Sequence, residues 1–228
     1  MILDTTMKPI AHIRSPFGEK FGIPRQSNVV NGVDSYIVFE PEYRIPEALR
    51  GIEDFDYLWL IWQFSDNLDA GWTPTVRPPR LGGNKRMGVF ATRSPFRPNA
   101  LGLSSVRLLE VKTSTPDGLV LRIAGADLKD GTPIFDIKPY LPYTDSHPDA
   151  RSGFAPAAPQ EKLKVVCPDE LINIIPSSQR ESLKEILSLD PRPSYHSDPE
   201  RIYGMKFLSF DVNFKVSEDN VLTIVSIF

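Results

Sequence analysis

Phe55-Asp56-Tyr57-Leu58-Trp59-Leu60-Ile61-Trp62-Gln63-Phe64 is the most apolar stretch of this 228-residue chain. Its aromatic and branched side chains are typical of a β-strand. Because apolar residues follow one another almost without interruption, the pattern predicts a strand that is buried on both faces. We therefore expect this segment to lie at the centre of a sheet.

Shorter segments on both sides of this stretch also have the character of strands. The chain has 22 prolines, which interrupt it too often for a bundle of long helices and favour many short strands. Asp117-Gly118 predicts a hairpin turn, and residues 45–51 predict a short helical turn with Pro46 near its start. The expected strands are residues 10–14, 36–39, 87–92, 104–112, 119–124 and 134–140.

The composition changes after residue 146. Residues 147–160 contain three prolines and four alanines without apolar periodicity, which predicts a linker. Residues 168–175 and 177–189 have helical spacing, and Ser177 or Ser178 with Glu181 predicts a capping box. Strands are expected at residues 203–207, 210–216 and 221–228. The sequence thus predicts a mainly β domain over residues 1–146, the linker, and a small α+β domain over residues 161–228.

The charge is distributed unevenly along the chain. The net charge is −3, but residues 77–107 contain seven basic and no acidic side chains, so the rest of the chain carries −10. A concentrated basic stretch on an acidic protein favours one local anionic partner. The alternative is a solvated loop with scattered arginines, and charge alone does not decide between the two.

Composition and motifs exclude several classes of protein. Cys167 is the single cysteine and the three histidines are dispersed, so we expect neither a disulfide nor a metal site. No apolar run approaches the roughly 18 residues of a membrane helix, and the N-terminus has no secretory pattern. We therefore expect a cytoplasmic location and no membrane contact. The chain also lacks a Gly-x-Gly turn, a P-loop and the Gly-x-Ser-x-Gly motif of hydrolases.

Residues 88–104 form the first segment that suggests chemistry. Pro95 and Pro98 stiffen a turn from which Arg93 and Arg97 project. Arginines on a rigid loop bind phosphate or carboxylate at little entropic cost. The alternative is a stiff hairpin whose arginines pair with nearby acids.

Residues 130–140 form the second such segment. If residues 134–140 are a strand, Asp136, Lys138 and Tyr140 share one face because side chains alternate with a period of two. An acid, a cation and a phenol together suit acid–base chemistry or ligand orientation. A structural ion pair that holds a barrel closed is the alternative. Residues 15–27 add a long amphipathic loop, of the kind that often carries function.

Together these segments resemble the TrmO family of tRNA methyltransferases, also described as YaeB-like proteins. The resemblance covers nearly the whole chain, and residues 91–102 are its most specific part. Two positions depart from the family pattern, which usually has His at Ser65 and Pro at Ala100. The matching segments are residues 23–26, 55–62, 75–84, 88–104, 130–140, 190–196 and 203–205.

The resemblance implies a single-sheeted β-barrel enzyme that is a homodimer and uses S-adenosylmethionine. It further implies that N6 of threonylcarbamoyladenosine, the modified base 3′ of the tRNA anticodon, receives the methyl group. We ourselves expect the C-terminal domain either to extend the tRNA footprint or to support the dimer or the barrel. The residues expected to bind the cofactor are Pro24, Arg25, Gln26, Phe64, Ser65, Arg93, Leu103, Asp130, Gly131, Thr132 and Pro133.

For the chemistry we expect Asp136 to act as the base or orienting group, with Lys138 and Tyr140 steadying it or the carbamoyl oxygen. Two other functions stay open: an RNA-binding module without catalysis, which would use the same basic loop, and a hydrolase on the polar strand face. The side chains expected to contact phosphates of the anticodon stem-loop are Arg77, Arg80, Lys85, Arg86 and Arg97.

Overall fold

The computed structural model describes residues 6–30, 32–155, 162–192 and 198–228. The expected linker therefore lies partly outside the described residues, as do Tyr195 and His196 of the matching segment 190–196. The strands are β1 (Ala11–Arg14), β2 (Asp34–Phe39), β3 (Tyr57–Gln63), β4 (Thr75–Val76), β5 (Met87–Gly88), β6 (Leu101–Thr115), β7 (Gly118–Ala124), β8 (Pro133–Pro139), β9 (Lys164–Val166), β10 (Tyr203–Phe207), β11 (Phe210–Val216) and β12 (Val221–Ile227).

Six of these strands form a closed antiparallel barrel in the order β1-β2-β7-β6-β3-β8, with β8 pairing back to β1. The mainly β fold and the barrel expected from the resemblance are therefore confirmed. Closure pairs the two ends of the sheet, so the barrel has no free edge. Its core is filled by inward side chains such as Ile13, Ile37, Leu60 and Leu121, which are fully buried.

Strand β3 lies between β6 and β8, as expected of the central segment. The prediction that both of its faces are buried is wrong. Leu58, Leu60 and Trp62 are buried inside the barrel, whereas Trp59 and Ile61 on the other face are only partly buried. A single-sheeted barrel has one interior, so only alternate side chains of a strand reach it.

A β-bulge between Ile61 and Trp62 sets the direction of the side chains on β8. Ile61 pairs with Asp136 and Trp62 pairs with Ile134, so Phe135 is the additional residue. Directly opposed residues of an antiparallel pair project to the same side. Asp136 therefore lies with Ile61 on the outer face of the barrel, while Ile134 is buried inside.

Residues 64–100 form a long excursion between β3 and β6 in which β4 and β5 pair as a small ribbon. The prediction of one strand over residues 87–92 is wrong beyond Gly88. Residues Val89–Ala91 form a 3-10 turn because the Thr92 N–H bonds back to the Val89 carbonyl. Other 3-10 turns are Pro41–Tyr43, Pro46–Leu49, Ile52–Asp54, Ser65–Ala70, Pro79–Leu81 and Ser177–Gln179.

The C-terminal part combines helices with a four-stranded sheet in the order β10-β11-β12-β9, in which β9 runs parallel to β12. In the described ranges the α-helices are α1 (Pro142–Asp145), α2 (Asp169–Ile172) and α3 (Arg180–Ser188). The predicted capping box does not form. Residues Ser177–Gln179 make a 3-10 turn, so α3 begins after Gln179 without a side-chain cap.

The hydrophobic core of the C-terminal part also contains residues from the other end of the chain. Phe17, Val30 and Val33 are buried in it, and Phe21 packs against it. Phe21 stacks on Tyr203 and Phe214, with ring centroids 6.5 and 6.4 Å apart. A division of the chain at residue 146 does not anticipate this packing. The segment between β1 and β2 thus lies between the barrel and the C-terminal sheet.

Candidate active site

A pocket of about 460 Å³ opens beside the barrel. Four separate parts of the chain form its walls: the segment between β1 and β2, the end of β3 with the turn after it, the loop leading into β6, and the segment between β7 and β8. The residues that line it are Lys20, Ile23, Pro24, Arg25, Gln26, Trp59, Trp62, Gln63, Phe64, Ser65, Asp66, Asn67, Thr92, Arg93, Pro95, Arg97, Leu101, Gly102, Leu103, Asp127, Lys129 and Thr132.

The structure brings most of the expected cofactor residues to this one pocket. Those that line it are Pro24, Arg25, Gln26, Phe64, Ser65, Arg93, Leu103 and Thr132. The first and last of them, Pro24 and Thr132, are 108 positions apart in the sequence. The barrel and its loops gather them in a volume typical of small-ligand sites.

Asp130, Gly131 and Pro133 are not among the residues that line the pocket. The Asp130 carboxylate accepts the Ser15 N–H at 2.9 Å, and the Asp130 N–H donates to the Phe17 carbonyl at 2.8 Å. The Gly131 N–H donates to the Ile13 carbonyl at 2.9 Å. This turn therefore fastens the start of the loop after β1 rather than facing the pocket.

A chain of hydrogen bonds links the barrel interior to the pocket wall. The Trp62 indole N–H donates to Ser104 Oγ at 3.0 Å, and the Ser104 hydroxyl donates to Asp127 Oδ1 at 2.6 Å. Burial raises the pKa of Asp127 above its usual range, against the hydrogen bond from Ser104 and the positive charge of Arg93. Asp127 is thus a pocket carboxylate that holds a proton more readily than an exposed one.

Sequence reasoning missed Asp127, Ser104 and Trp62 as site residues. The only signal for Asp127 was a carboxylate three residues after the apolar strand β7. The position of Trp62 depends on Gly102, because a Cβ there would overlap the indole ring. The ring of Phe64 contacts Trp62 edge-on, with centroids 4.3 Å apart. Two aromatic rings therefore form one side of the pocket.

Charged side chains surround the mouth of the pocket. Arg93 Nη1 donates to Gln26 Oε1, which joins the loop before β6 to the segment after β1. Lys129 Nζ lies 2.8 Å from Asp66 Oδ2. This hydrogen bond lowers the pKa of Asp66, with further Coulombic help from Lys129 and Lys20. The rim is therefore rich in cations, which suits a ligand that carries an anionic group.

The expected catalytic group lies outside the pocket. Lys138 Nζ pairs with Asp136 Oδ2 at 3.1 Å, which confirms only that the two share a face. Asp136, Lys138 and Tyr140 do not line the pocket, but the Tyr140 ring packs on Trp59 with centroids 5.6 Å apart. Trp59 does line it, and its indole N–H donates to Asp145 at 2.8 Å. Their catalytic role stays a prediction.

Most of the cations expected to bind tRNA project from the ribbon formed by β4 and β5. Arg77, Arg80, Lys85 and Arg86 are exposed in the segment that connects the two strands. Arg86 also donates to Thr75 at 2.9 Å. Arg97 differs, because its guanidinium donates to the carbonyls of Thr92 and Ser94 at 3.0 and 3.2 Å. It stiffens its own loop and has fewer donors left for a phosphate.

The two departures from the family pattern lie at opposite ends of the same excursion. Ser65 is exposed at the pocket wall and begins the 3-10 turn Ser65–Ala70. Ala100 is buried and has a φ of 47°, a left-handed conformation that proline, fixed near −65°, cannot adopt. Ala100 therefore has a backbone conformation that the family's usual proline does not fit. Its carbonyl accepts the Phe64 N–H at 2.9 Å.

Family models match both parts of the chain. The model described as tRNA-methyltransferase O N-terminal domain covers residues 12–146, and the TrmO C-terminal domain covers residues 160–227. The chain belongs to the TrmO family. Its barrel, with the pocket beside it, therefore lies in the part that is matched by a methyltransferase domain.

The chain is similar over nearly its full length to curated methyltransferases and to solved structures of TrmO. The chain is 41% identical over 217 residues to the tRNA (adenine(37)-N6)-methyltransferase of Escherichia coli K12, covering 92% of each protein. It is 37% identical over 229 residues to a putative S-adenosylmethionine-dependent methyltransferase of Pseudomonas aeruginosa, covering 97% of each. A crystal structure of TrmO from Pseudomonas aeruginosa is 30% identical with a TM-score of 0.78, covering 99% of this chain and 100% of that one.

The described residues hold neither a metal-binding cluster nor a membrane-spanning helix. Within residues 6–30, 32–155, 162–192 and 198–228, no cluster of three or more His, Cys, Asp or Glu side chains is arranged to hold a metal ion. No helix in the same ranges is long and apolar enough to cross a membrane.

Proposed function

We propose that this TrmO-family chain transfers a methyl group from S-adenosylmethionine to N6 of threonylcarbamoyladenosine at position 37 of tRNA, giving N6-methyl-threonylcarbamoyladenosine. The observation that carries the proposal is the pocket, where apolar rings, guanidinium groups and a carboxylate whose pKa is raised by burial lie together in a methyltransferase-family domain. The names of the relatives support the adenine at position 37 as the target. The names do not mention a threonylcarbamoyl group on that adenine, and this group is part of our proposal.

The chemistry of the pocket residues fits S-adenosylmethionine. Trp62 and Phe64 offer aromatic surface for a nucleobase. Arg25 and Arg93 can bind a carboxylate, and Asp127 can accept a hydrogen bond from a hydroxyl or an ammonium group. These residues would hold the cofactor. When bound, S-adenosylmethionine supplies an electrophilic methyl group on a positively charged sulfur.

The residues of the chain then have to position the target nitrogen and take its proton. N6 of the modified base is a weak nucleophile because its lone pair is delocalised, and the N–H proton must leave when a methyl group replaces it. Asp127 is the favoured acceptor of this proton because it lines the pocket and its pKa is raised by burial. Asp136 is the second candidate. Alignment of the reactants contributes up to roughly 7–11 kcal/mol to such a reaction.

We assign the tRNA-binding surface to the exposed cations of the ribbon formed by β4 and β5. The ribbon belongs to the same excursion that supplies Phe64, Arg93 and Arg97 to the pocket. Phosphates held by the ribbon would therefore lie near the reacting base. We also propose that the protein is a homodimer and that it works in the cytoplasm. Sedimentation equilibrium of the pure chain tests the homodimer.

The rival function is an RNA-binding module without catalysis that uses the same cations. Titration of S-adenosylmethionine into the pure protein by calorimetry, followed by incubation with unmodified and threonylcarbamoylated tRNA, separates the two. We expect saturable cofactor binding and methyl incorporation at position 37 only in the modified tRNA, read by mass spectrometry of nucleosides. Binding of tRNA without any cofactor binding would favour the module.

A further inference from the structure

The side chain of Arg25, at the mouth of the pocket, is held by the C-terminal part of the chain. Arg25 Nη2 donates to the backbone carbonyl of Arg192 at 3.0 Å. Arg25 lines the pocket, whereas Arg192 does not. This contact therefore connects a pocket guanidinium to a turn that directly follows α3.

The turn that presents this carbonyl is itself rigidly built. The Arg192 guanidinium forms two hydrogen bonds with the Asp190 carboxylate, from Nε to Oδ1 at 2.8 Å and from Nη2 to Oδ2 at 2.9 Å. The backbone N–H of Arg192 also donates to Asp190 Oδ1, at 3.2 Å. The Arg192 side chain is only 12% exposed. A two-pronged ion pair of this kind fixes direction as well as distance.

The same C-terminal part holds the rest of the segment that carries Arg25. The Leu208 N–H donates to the Pro16 carbonyl at 2.8 Å, and the Lys206 N–H donates to Glu19 at 2.9 Å. Gly22 has a φ of 90°, and a Cβ there would lie 2.6 Å from the terminal methyl group of Met205. Hydrogen bonds and close packing thus hold the segment before Arg25 against β10 and the turn that follows it.

We propose that Asp190 and Arg192 are positioning residues for the methyl-donor pocket, acting through Arg25, and that this is a role of the C-terminal domain in the reaction. The proposal rests on the proposed function, because it takes the pocket as the cofactor site. The ligand group concerned is the anionic part of the donor, which a guanidinium binds in a directed way. Without the ion pair, Arg25 would keep its charge but lose its fixed direction.

The test compares Asp190→Asn and Arg192→Ala with the unaltered full-length chain. Asparagine tolerates the left-handed backbone at residue 190, where φ is 52°, so the turn itself is retained. Calorimetry with S-adenosylmethionine should give a Kd about 3- to 10-fold higher in either variant, the size expected for loss of one oriented hydrogen bond. The KM for the donor should rise equally, with kcat and the KM for tRNA unchanged.

Glu181→Gln is the matched control, because Glu181 also forms an ion pair in this domain, with Lys184, but it is exposed and lies near the start of α3, whereas the turn follows the end of that helix. Arg25→Ala completes a double-mutant cycle. Once Arg25 is absent, Asp190→Asn should not change the Kd further.

Each result has a definite meaning. An unchanged Kd in both variants, or a full effect of Asp190→Asn in the Arg25→Ala background, would overturn the proposal, as would a loss confined to tRNA affinity. If the unaltered chain does not bind S-adenosylmethionine at all, the proposed function fails and this inference fails with it. If the unaltered chain and both variants bind S-adenosylmethionine equally well, this inference fails but the proposed function stands.

Discussion

The hydroxyl of Ser104 donates to the Asp127 carboxylate at 2.6 Å while it accepts the indole N–H of Trp62 at 3.0 Å. One side chain on β6 therefore joins an aromatic ring of the barrel interior to a carboxylate of the pocket wall. Because a hydroxyl can donate only one proton, acceptance from Trp62 directs that proton toward Asp127. The position of the Asp127 carboxylate therefore depends on a residue of the barrel strand β6.

Asp127→Asn keeps the shape of the side chain and its acceptor for Ser104, but it cannot take up a proton. We expect kcat for methyl transfer to fall by about 10²- to 10⁴-fold, the usual contribution of a general base. The Kd for S-adenosylmethionine, measured separately, should change by less than about threefold. Single-turnover methyl transfer at saturating cofactor is the measurement.

The same experiment on Asp136→Asn decides between the two carboxylates. Asp136 already pairs with Lys138 on the outer face of the barrel. If the large loss of chemistry appears in the Asp136 variant and the Asp127 variant transfers methyl groups normally, the proton acceptor is Asp136.

Asp127 should also make stability depend on pH. Burial raises its pKa in the folded protein above the value in the unfolded chain. The folded state therefore binds this proton more tightly, and the resulting stability is present at low pH and lost as pH rises through the folded pKa. An asparagine side chain does not titrate, so Asp127→Asn should gain stability relative to the unaltered chain across that window. Urea unfolding from about pH 4 to about pH 8 tests this; parallel curves for the two proteins would contradict it.

The period of two in residues 134–140 correctly placed Asp136 and Lys138 on one face, but it could not say which face. That choice depends on the bulge opposite Trp62 and on closure of the barrel. Asp127 reaches Ser104 only because β6 and β7 pair, and Trp62 reaches Ser104 only because β3 and β6 pair. Local patterns thus predicted most strands, whereas the pocket depends on contacts between strands that are far apart in the sequence.

Resemblance supplied the residues that local patterns could not. Pro24 and Thr132 carry no signal of their own, yet both line the pocket as members of matching segments. The packing of Phe17 and Phe21 in the C-terminal core had no signal of either kind, since an apolar residue in a loop does not indicate its partner. The dependence of the loop on the C-terminal domain became visible only in three dimensions.

Gly102→Ala tests the close contact between β6 and Trp62. A methyl group at this position would overlap the indole ring, so either the ring or the strand must move. We expect a loss of about 1–3 kcal/mol in the free energy of unfolding, as for other overpacked sites, together with a shift in tryptophan emission. Gly88→Ala is the control, since it has no heavy atom within 4 Å of the added Cβ and a φ of −58°. Equal stabilities of the two variants would show that the ring adapts freely.

Ala100 tests the backbone at the entrance to β6. Alanine costs roughly 1–2 kcal/mol in the left-handed region, and glycine does not carry this cost. After allowance for the greater freedom of glycine in the unfolded chain, Ala100→Gly should stabilise the protein by about 0.5–1 kcal/mol. Ala100→Pro should destabilise it, because φ is 47° here. Thermal and urea unfolding measure both changes, and a stable proline variant would mean that this loop can take another conformation.

The exposed cations of the ribbon formed by β4 and β5 set the expected salt dependence of tRNA binding. Each neutralised phosphate contributes roughly −0.7 to −0.9 to the slope of log affinity against log salt. If three to five cations engage, the slope should be about −2 to −4.5. Fluorescence anisotropy with labelled tRNA over a salt series measures it.

Removal of two of these charges should change the slope by a defined amount. Arg77→Ala combined with Lys85→Ala should make it less steep by about 1.4–1.8, because two ion contacts are lost. Lys164→Ala combined with Lys215→Ala removes the same charge from the exposed face of the C-terminal sheet. The control should lower affinity little and keep the slope, since its lysines lie outside the ribbon. An identical slope in both double variants would mean that net charge, and not the ribbon, governs tRNA binding.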